Sequence, residues 1–404
     1  MRSAHPERVF FFLSAGWGPV VRTLPIIHRL ADRGIASAVA IGGDIGAKIR
    51  AAGCDVIELR LPASDAPADE VRNWWSPYHY LAFHNVDSLF DQVNAYRKVI
   101  SDGHPAVVVT DINPVAALAA RALRVPHITI SQSVFLPQRR TDSRRFTIPS
   151  ALPAIEKVLA RYGTDRIDSA VHLELGEVTL VPSIPELDPL QDAPPSVRYV
   201  GPILGNQLVP LHTSPERPPA ASGGPKIFVY PGRPHDGVGP SGQALLNVAL
   251  SALRDIKATA TIATGGFEFE IPEYAGDQVE IVPWRVISPA YKPDLIIHHG
   301  GHGACLTALT AGIPSVIVPT HAEREYNASH LAAMGCGDFV AADQIDVPRV
   351  RHAIESVLNT PAYAGTCTQW SETIAARAYG GADLAARLIV EMIETHSAGT
   401  RRNL

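Results

Sequence analysis

The chain alternates short, almost wholly apolar runs with stretches of helical period, and it does so twice, on either side of a proline- and glycine-rich segment. VFFFL at 9–13 leads into a helical stretch at 20–32 that Gly34 closes, followed by an apolar run at 36–41, a helix at 45–52 and a run at 55–59. Runs this short and this apolar fit strands buried on both faces of a parallel sheet, and the helices between them fit right-handed crossovers. The rhythm continues with a helix near 84–101, a strand at 106–110, a helix at 114–123 and strands at 126–131, 176–183 and 196–202. It breaks at 60–83, an aromatic loop, and at 132–149, which holds Arg139, Arg140, Arg144 and Arg145. GPILGNQLVPLHTSPERPPAASGGP then reads as a linker, because no hydrophobic period survives in it. After it the βα rhythm starts afresh: strands at 226–230, 258–262, 279–282, 295–298 and 315–318, helices at 239–254, 302–311 and 324–334, and two or three more helices to the end. The expected architecture is α/β, two doubly wound Rossmann-like domains facing across a cleft, with ligands at the carboxyl ends of the strands. The expected boundaries are 1–205, a linker at 206–225, 226–375, and a helical segment at 376–404 packing back toward the first domain.

Bulk properties narrow the class. The chain has 404 residues, 46% of them hydrophobic and 19% charged, enough for two real cores. A formal net charge of -5 gives no support to nucleic-acid binding. Cys54, Cys305, Cys336 and Cys367 are scattered without metal-ligand spacing and read as free thiols of a reducing compartment. No stretch approaches the roughly 20 apolar residues of a membrane span, and the apolar run near the N-terminus is short for a secretion signal. The expectation is a cytoplasmic protein without a transmembrane segment; a homodimer is left open.

The most informative segment is DLIIHHGGHGACLTALTAGIPSVIVP at 294–319. A buried strand runs through His298 into His299, Gly300, Gly301, His302 and Gly303, and then into a helix. Glycines let the backbone approach a ligand, and the free N–H groups of the following helix start make an anion site suited to a diphosphate. His299 adds a side-chain donor. The segment is neither a GxGxxG fingerprint nor a P-loop. Zinc at His298, His299 and His302 is disfavoured, because adjacent strand residues point to opposite faces and no further ligand stands at a suitable spacing.

This turn resembles the donor-binding signature of the UDP-glycosyltransferase-like, inverting GT-B glycosyltransferases, in the style of the bacterial antibiotic and macrolide enzymes of secondary metabolism. Their HHGGxGT reads HHGGHGA at 298–304, with Ala304 in place of the family's hydroxyl residue. The family's downstream pattern GxPxxxxPxxxDQxxNA is matched by Gly312, Pro314, Pro319, Glu323, Arg324, Asn327 and Ala328. The resemblance implies that His299 meets the donor diphosphate, that Glu323 reads sugar hydroxyls with Asn327 beside it, and that Trp284, fourteen residues before His298, lies by the nucleotide base. Gly232 and Arg233 are placed near the phosphates. Arg324 stands where the family has glutamine and faces either the diphosphate or a negatively charged sugar.

In the first half, RYVGP at 198–202 and TLPIIHRLADRG at 23–34 resemble the same family. Its catalytic histidine, in a GHxxP or GHxxR loop, is replaced here by Pro19 in GPVVR, and proline moves no proton. The family's partner carboxylate corresponds to Asp111, which the sequence alone also allows as a helix cap. His79 and His84, in or beside the aromatic loop, are the alternative bases; His127 reads as core. The acceptor is expected among Trp17, Trp74, Trp75, Tyr78, His79 and Phe135. The reading is therefore an inverting, metal-independent transfer of a hexose from a UDP- or dTDP-sugar, as co-substrate, to a small aromatic or lipidic acceptor, with no other cofactor. Two alternatives stand beside it: an accessory nucleotide-sugar-binding protein of the same fold, and a GT-B nucleotide-sugar epimerase.

Overall fold

The structure, a computed structural model, describes residues 7–14, 16–41, 43–59, 85–137, 152–205, 223–235, 241–272 and 278–402. The chain divides into two compact units, one built largely from residues up to Ile203 together with Tyr379 onward, the other from Leu204 to Ala378.

The first unit holds a seven-stranded parallel sheet ordered β3-β2-β1-β4-β5-β6-β7. Its strands are β1 (Arg8–Leu13), β2 (Ala36–Ala40), β3 (Val56–Ile57), β4 (Val107–Asp111), β5 (His127–Ile130), β6 (Val178–Val181) and β7 (Val197–Tyr199). β1 pairs with β2 and β4 at once, Phe11 lying against Val39 on one side and Val109 on the other. Phe11 and Phe12 are fully buried, each contributing about 1.5–3 kcal/mol relative to exposure. Among the described residues before the second unit the helices are α1 (Trp17–Ala31), α2 (Gly43–Ala51), α3 (Val86–Gly103), α4 (Pro114–Leu123) and α5 (Leu152–Arg161). Asn85 and Asn113 cap α3 and α4 through their side-chain oxygens, and Pro114 begins α4 where no N–H is needed.

The second unit has a six-stranded parallel sheet ordered β10-β9-β8-β11-β12-β13. Its strands are β8 (Lys226–Tyr230), β9 (Thr259–Ala263), β10 (Val279–Val282), β11 (Leu295–His298), β12 (Ser315–Ile317) and β13 (Gly337–Phe339). Ile227, Val229, Ile262, Leu295, Ile297 and Val316 form its core with Leu246 and Leu250 of α6 (Gly242–Leu253) and Ile354 of α9 (Val347–Asn359). The remaining helices are α7 (His302–Ala311), α8 (Ala322–Ala333) and α10 (Pro361–Arg377).

Four features differ from the sequence reading. α1 begins at Trp17, so Gly18 and Pro19, read as loop, form its first turn, where proline costs no hydrogen bond. α5 and β13 were not anticipated. α5 carries its apolar face at Ala154, Ile155, Val158 and Leu159, a helical spacing that was passed over. β13 is three residues long and owes its place to β12, not to its own pattern. The return to the first unit, expected at 376, falls instead at Tyr379: α10 continues to Arg377 and ends with Ala378 in the left-handed region. The last helix, α11 (Gly381–Arg402), packs on α1, and Gly381 N–H donates to the Val200 carbonyl at 2.8 Å. Among the described residues no helix is long and apolar enough to cross a membrane.

Candidate active site

Each sheet has one point where neighbouring strands send their chains to opposite sides: β1 and β4 in the first unit, β8 and β11 in the second. Such switch points open a crevice at the strands' carboxyl ends.

In the second unit, Tyr230 and His298 face each other across the ends of β8 and β11. His298 is fully buried, its Nδ1 accepts the Gly300 N–H at 3.1 Å, and burial lowers its pKa to about 3. A neutral ring at the end of β11 thus shapes the turn. Gly300 takes a positive φ of 83°, and a Cβ there would lie 2.7 Å from the Arg324 carbonyl oxygen. Asn327 closes the turn from the other side, its Nδ2 donating to the Gly300 carbonyl at 3.0 Å and to Glu323 Oε1 at 2.8 Å.

The His299 ring fits between two glycines. A Cβ on Gly232 would come within 3.1 Å of the ring and one on Gly301 within 2.4 Å of Nε2. Tyr230 meets the ring edge-on at 5.3 Å between centroids, and Trp284 lies beyond Tyr230 at 6.4 Å. His299 is held neutral: burial drives its pKa well down, and the charge of Arg324 and the neighbouring His298 push the same way. Its Nδ1 lies 3.5 Å from the Tyr230 carbonyl oxygen, which can only accept. A neutral imidazole donates from one nitrogen and accepts at the other, and Nε2 is the one that lies beside Gly301.

α7 starts at His302 behind Gly301, and α8 starts at Ala322 behind His321, neither with a side-chain cap. By contrast, Ser241 and Asp346 cap α6 and α9. The first-turn N–H groups of α7 and α8 precede the i−4 ladder and give both helix starts a partial positive charge. A Cβ on Gly303 would meet nothing within 4 Å, and Ala304 N–H turns back to the Gly301 carbonyl at 2.9 Å. Arg324 is buried in the first turn of α8 and hydrogen-bonds the Thr320 hydroxyl. His321 is also neutral, its pKa pushed well down by burial and then by the charges of Arg324 and Arg233. Gly232, Arg233, His299 to Ala304, Glu323, Arg324 and Asn327 thus lie at or beyond the carboxyl ends of β8, β11 and β12, and Trp284, which follows β10, reaches them beside Tyr230. Tyr230 and His321 join them unannounced; the sequence signal was position alone, the last residue of β8 and the residue before α8. Among the described residues no group of three or more His, Cys, Asp or Glu is arranged to hold a metal ion.

In the first unit, Asp111 ends β4 at the β1/β4 switch point, and its carbonyl oxygen accepts the Ser14 N–H at 3.1 Å. Its side chain has no exposure and is bound by Arg22, Nε donating to Oδ2 at 2.6 Å and Nη2 to Oδ1. Direct proton abstraction by Asp111 does not fit this pairing, because both oxygens face a permanently charged guanidinium. Nor does its side chain cap α4, a task Asn113 performs. Arg22 was missed, although an arginine within the buried stripe Val20, Thr23, Leu24 and Ile26 of α1 is a signal that a buried anion faces it. Trp17 and Phe135 are buried, Trp17 with the Lys48 ammonium 5.8 Å from its ring centroid. His127 is core: its Nε2 lies 2.8 Å from Thr110 Oγ1, and burial, aided by Arg121, lowers its pKa to about 3. Trp74, Trp75, Tyr78, His79, His84 and the arginines of 139–145 lie outside the described residues.

Comparison with known proteins bears on the fold. Two parallel-sheet α/β units with ligand crevices at their switch points are the GT-B fold. The calicheamicin glycosyltransferase CalG4 has it, with a TM-score of 0.71 at 22% identity over 98% of this chain and 99% of that one. So does the spinosyn rhamnosyltransferase SpnG complexed with thymidine diphosphate, with a TM-score of 0.63 at 20% identity over 91% and 96%. A PGL/p-HBAD biosynthesis glycosyltransferase of Mycobacterium tuberculosis is 25% identical over 313 residues, 69% of this chain and 68% of that protein. The chain is a glycosyltransferase of GT-B fold. Residues 271–390, which include the glycine–histidine turn and all of α8, match the C-terminal domain of the erythromycin biosynthesis protein CIII-like family.

Proposed function

We propose that the protein transfers a hexose from a UDP- or dTDP-sugar to a small-molecule acceptor with inversion at the anomeric carbon. The observation that carries this reading is the glycine–histidine turn, whose backbone opens at a sheet switch point between two helix starts without side-chain caps. Such a place favours the developing charge of a departing diphosphate without a cation cofactor. SpnG holds thymidine diphosphate, which supports a dTDP donor here, and CalG4 acts in calicheamicin glycosylation, which supports a natural-product acceptor. Trp284 and Tyr230 offer aromatic surface for the base, and Glu323, fixed by Asn327, offers an acceptor for sugar hydroxyls. Asp111 serves through Arg22 as a fixed ion pair at the start of α1 and not as the base. The reacting oxygen loses its proton elsewhere, and His79 and His84 are the candidates. Incubation with UDP- and dTDP-hexoses and a panel of phenolic, polyketide and lipid acceptors tests the reading. The expected result is nucleoside diphosphate release together with an acceptor one hexose heavier. Nucleotide-sugar binding without release on any acceptor supports the accessory alternative, and donor consumption without acceptor supports the epimerase.

A further inference from the structure

Tyr230 and Trp284 are held in different ways. Tyr230 is the last residue of β8 and is fixed by the sheet, whereas Trp284 lies two residues past the end of β10, the edge strand. On the near side of Trp284 the backbone is tied to the end of β9: Thr264 N–H donates to the Val282 carbonyl and Gly265 N–H to the Pro283 carbonyl, both at 2.9 Å. On the far side a side chain supplies the tie. Arg285 turns back along β10, its Nη2 donating to Glu280 Oε1, and its guanidinium carbon lies 5.3 Å from the centre of the Tyr291 ring. Glu280 is itself fixed, because Thr261 stands opposite it on β9 and donates to its Oε2 at 3.2 Å. Tyr291 is fixed too: it exchanges two backbone hydrogen bonds of 3.0 Å with Ser288, and its ring meets Phe228 edge-on at 6.3 Å. The Arg285 and Glu280 side chains keep only 9% and 16% of their exposure.

An ion pair removed this far from water is costly to desolvate, and apolar side chains of similar size would hold a strand end at least as well. What the pair adds is direction. A guanidinium with its edge on a carboxylate and its face on a ring has little freedom to turn. Glu280 also balances its charge, so the pair offers a phosphate no net attraction. Building on the donor-site reading, we propose that Arg285 is the positioning residue for the nucleotide base. It fixes the backbone that carries Trp284 and so keeps the indole beside Tyr230 before a nucleotide arrives. The base then meets a preformed platform, and the cost of ordering Trp284 falls on folding and not on binding.

The test is calorimetric titration of the full chain with UDP, dTDP and inorganic pyrophosphate. For the preferred nucleotide, Trp284→Ala is expected to weaken binding about 10- to 100-fold, the range for a stacked base. Arg285→Met keeps much of the side chain's length and loses its charge and planar face. It is expected to weaken the same nucleotide about 3- to 10-fold, the cost of ordering one freed aromatic side chain. Pyrophosphate has no base and should bind both variants within about twofold of wild type, which also reports an intact fold. In the Trp284→Ala background Arg285→Met should have no further effect, because nothing is left for it to position. Arg285→Lys, which keeps the ion pair, should recover most of the loss. Unchanged nucleotide affinity in Arg285→Met overturns the proposal. So does an equal loss of pyrophosphate, which would assign the pair to the fold alone, and so does an undiminished loss in the Trp284→Ala background. If the wild-type protein binds neither nucleotide, the donor-site reading itself fails, a result that none of the variants can mimic.

Discussion

The Arg22–Asp111 pair invites a quantitative test, because its two partners come from α1 and β4 and are both buried. Arg22→Met keeps most of the side chain's volume and removes the charge; Asp111→Leu does the same for the carboxylate. Either change alone strands an ion at a place where both partners are buried. Removing one partner of a buried pair costs about 3–5 kcal/mol, whereas replacing both by well-packed apolar groups is often neutral. In a unit of this size that is a fall in Tm of about 6–20 °C for each single variant, with most of it recovered in the double variant. Urea melts of the wild type, both singles and the double would give the coupling energy, read from the transition of the first unit alone because the two units need not unfold together. Additive singles, each within about 0.5 kcal/mol of wild type, would refute the pairing. Kinetics add a second criterion. If the pair acts by positioning, Arg22→Met and Asp111→Asn should lower kcat by similar factors. A loss of about 10²- to 10⁴-fold confined to Asp111→Asn would restore it as the base.

Three further outcomes are expected. His127 is held neutral in the folded state, with a pKa of about 3 against 6.5 when unfolded. The unfolded chain therefore binds more protons between these values, and the first unit should lose about 2 kcal/mol from this group alone between pH 7 and pH 5. That loss should be absent in His127→Gln by urea melts at the two pH values; an identical dependence in both proteins would contradict it. His299→Ala, which removes the ring seated between Gly232 and Gly301, should weaken binding of the preferred nucleoside diphosphate by roughly 1–3 kcal/mol in a calorimeter, and unchanged affinity would take the ring out of the site. Turnover should survive exhaustive chelation, because helix N–H groups and arginines supply the positive charge; activity lost to chelator and restored by magnesium or zinc would reverse this.

Most of the candidate site in the second unit was legible in the sequence because it is local. His298 to Ala304 is one continuous turn, and Glu323 to Asn327 is one turn of helix, so spacing alone brought their members together. Their long-range partners were harder. Nothing in the sequence says that Gly232 stands over the His299 ring, since that contact depends on β8 and β11 being neighbours in a sheet whose order is not sequential. Arg22 illustrates the same limit more sharply. It lies 89 residues from Asp111, and the sequence reading weighed Pro19 as a missing base without weighing what else would hold the carboxylate. The strands were read well where they are buried on both faces, as with β8 and β11. β13 escaped because Gly337 lies so close to β12 that a Cβ would meet the Ser315 carbonyl oxygen at 2.1 Å. Its pairing is a property of its neighbour.

The return of α11 to the first unit has a consequence for how the chain is made. A ribosome would deliver the contiguous second unit whole before the first receives its final helix, and Arg33 must wait for Asp383, 350 residues later, to form its ion pair. The chain enters and leaves the second unit at adjacent points, marked by the Val200–Gly381 backbone bond. In topology, then, the second unit is an insertion into a connection of the first, and closing that connection costs little once the insertion has folded. A short peptide joining Ile203 to Tyr379 would bypass it, giving the first unit as a single miniature protein with its helix α11 in place.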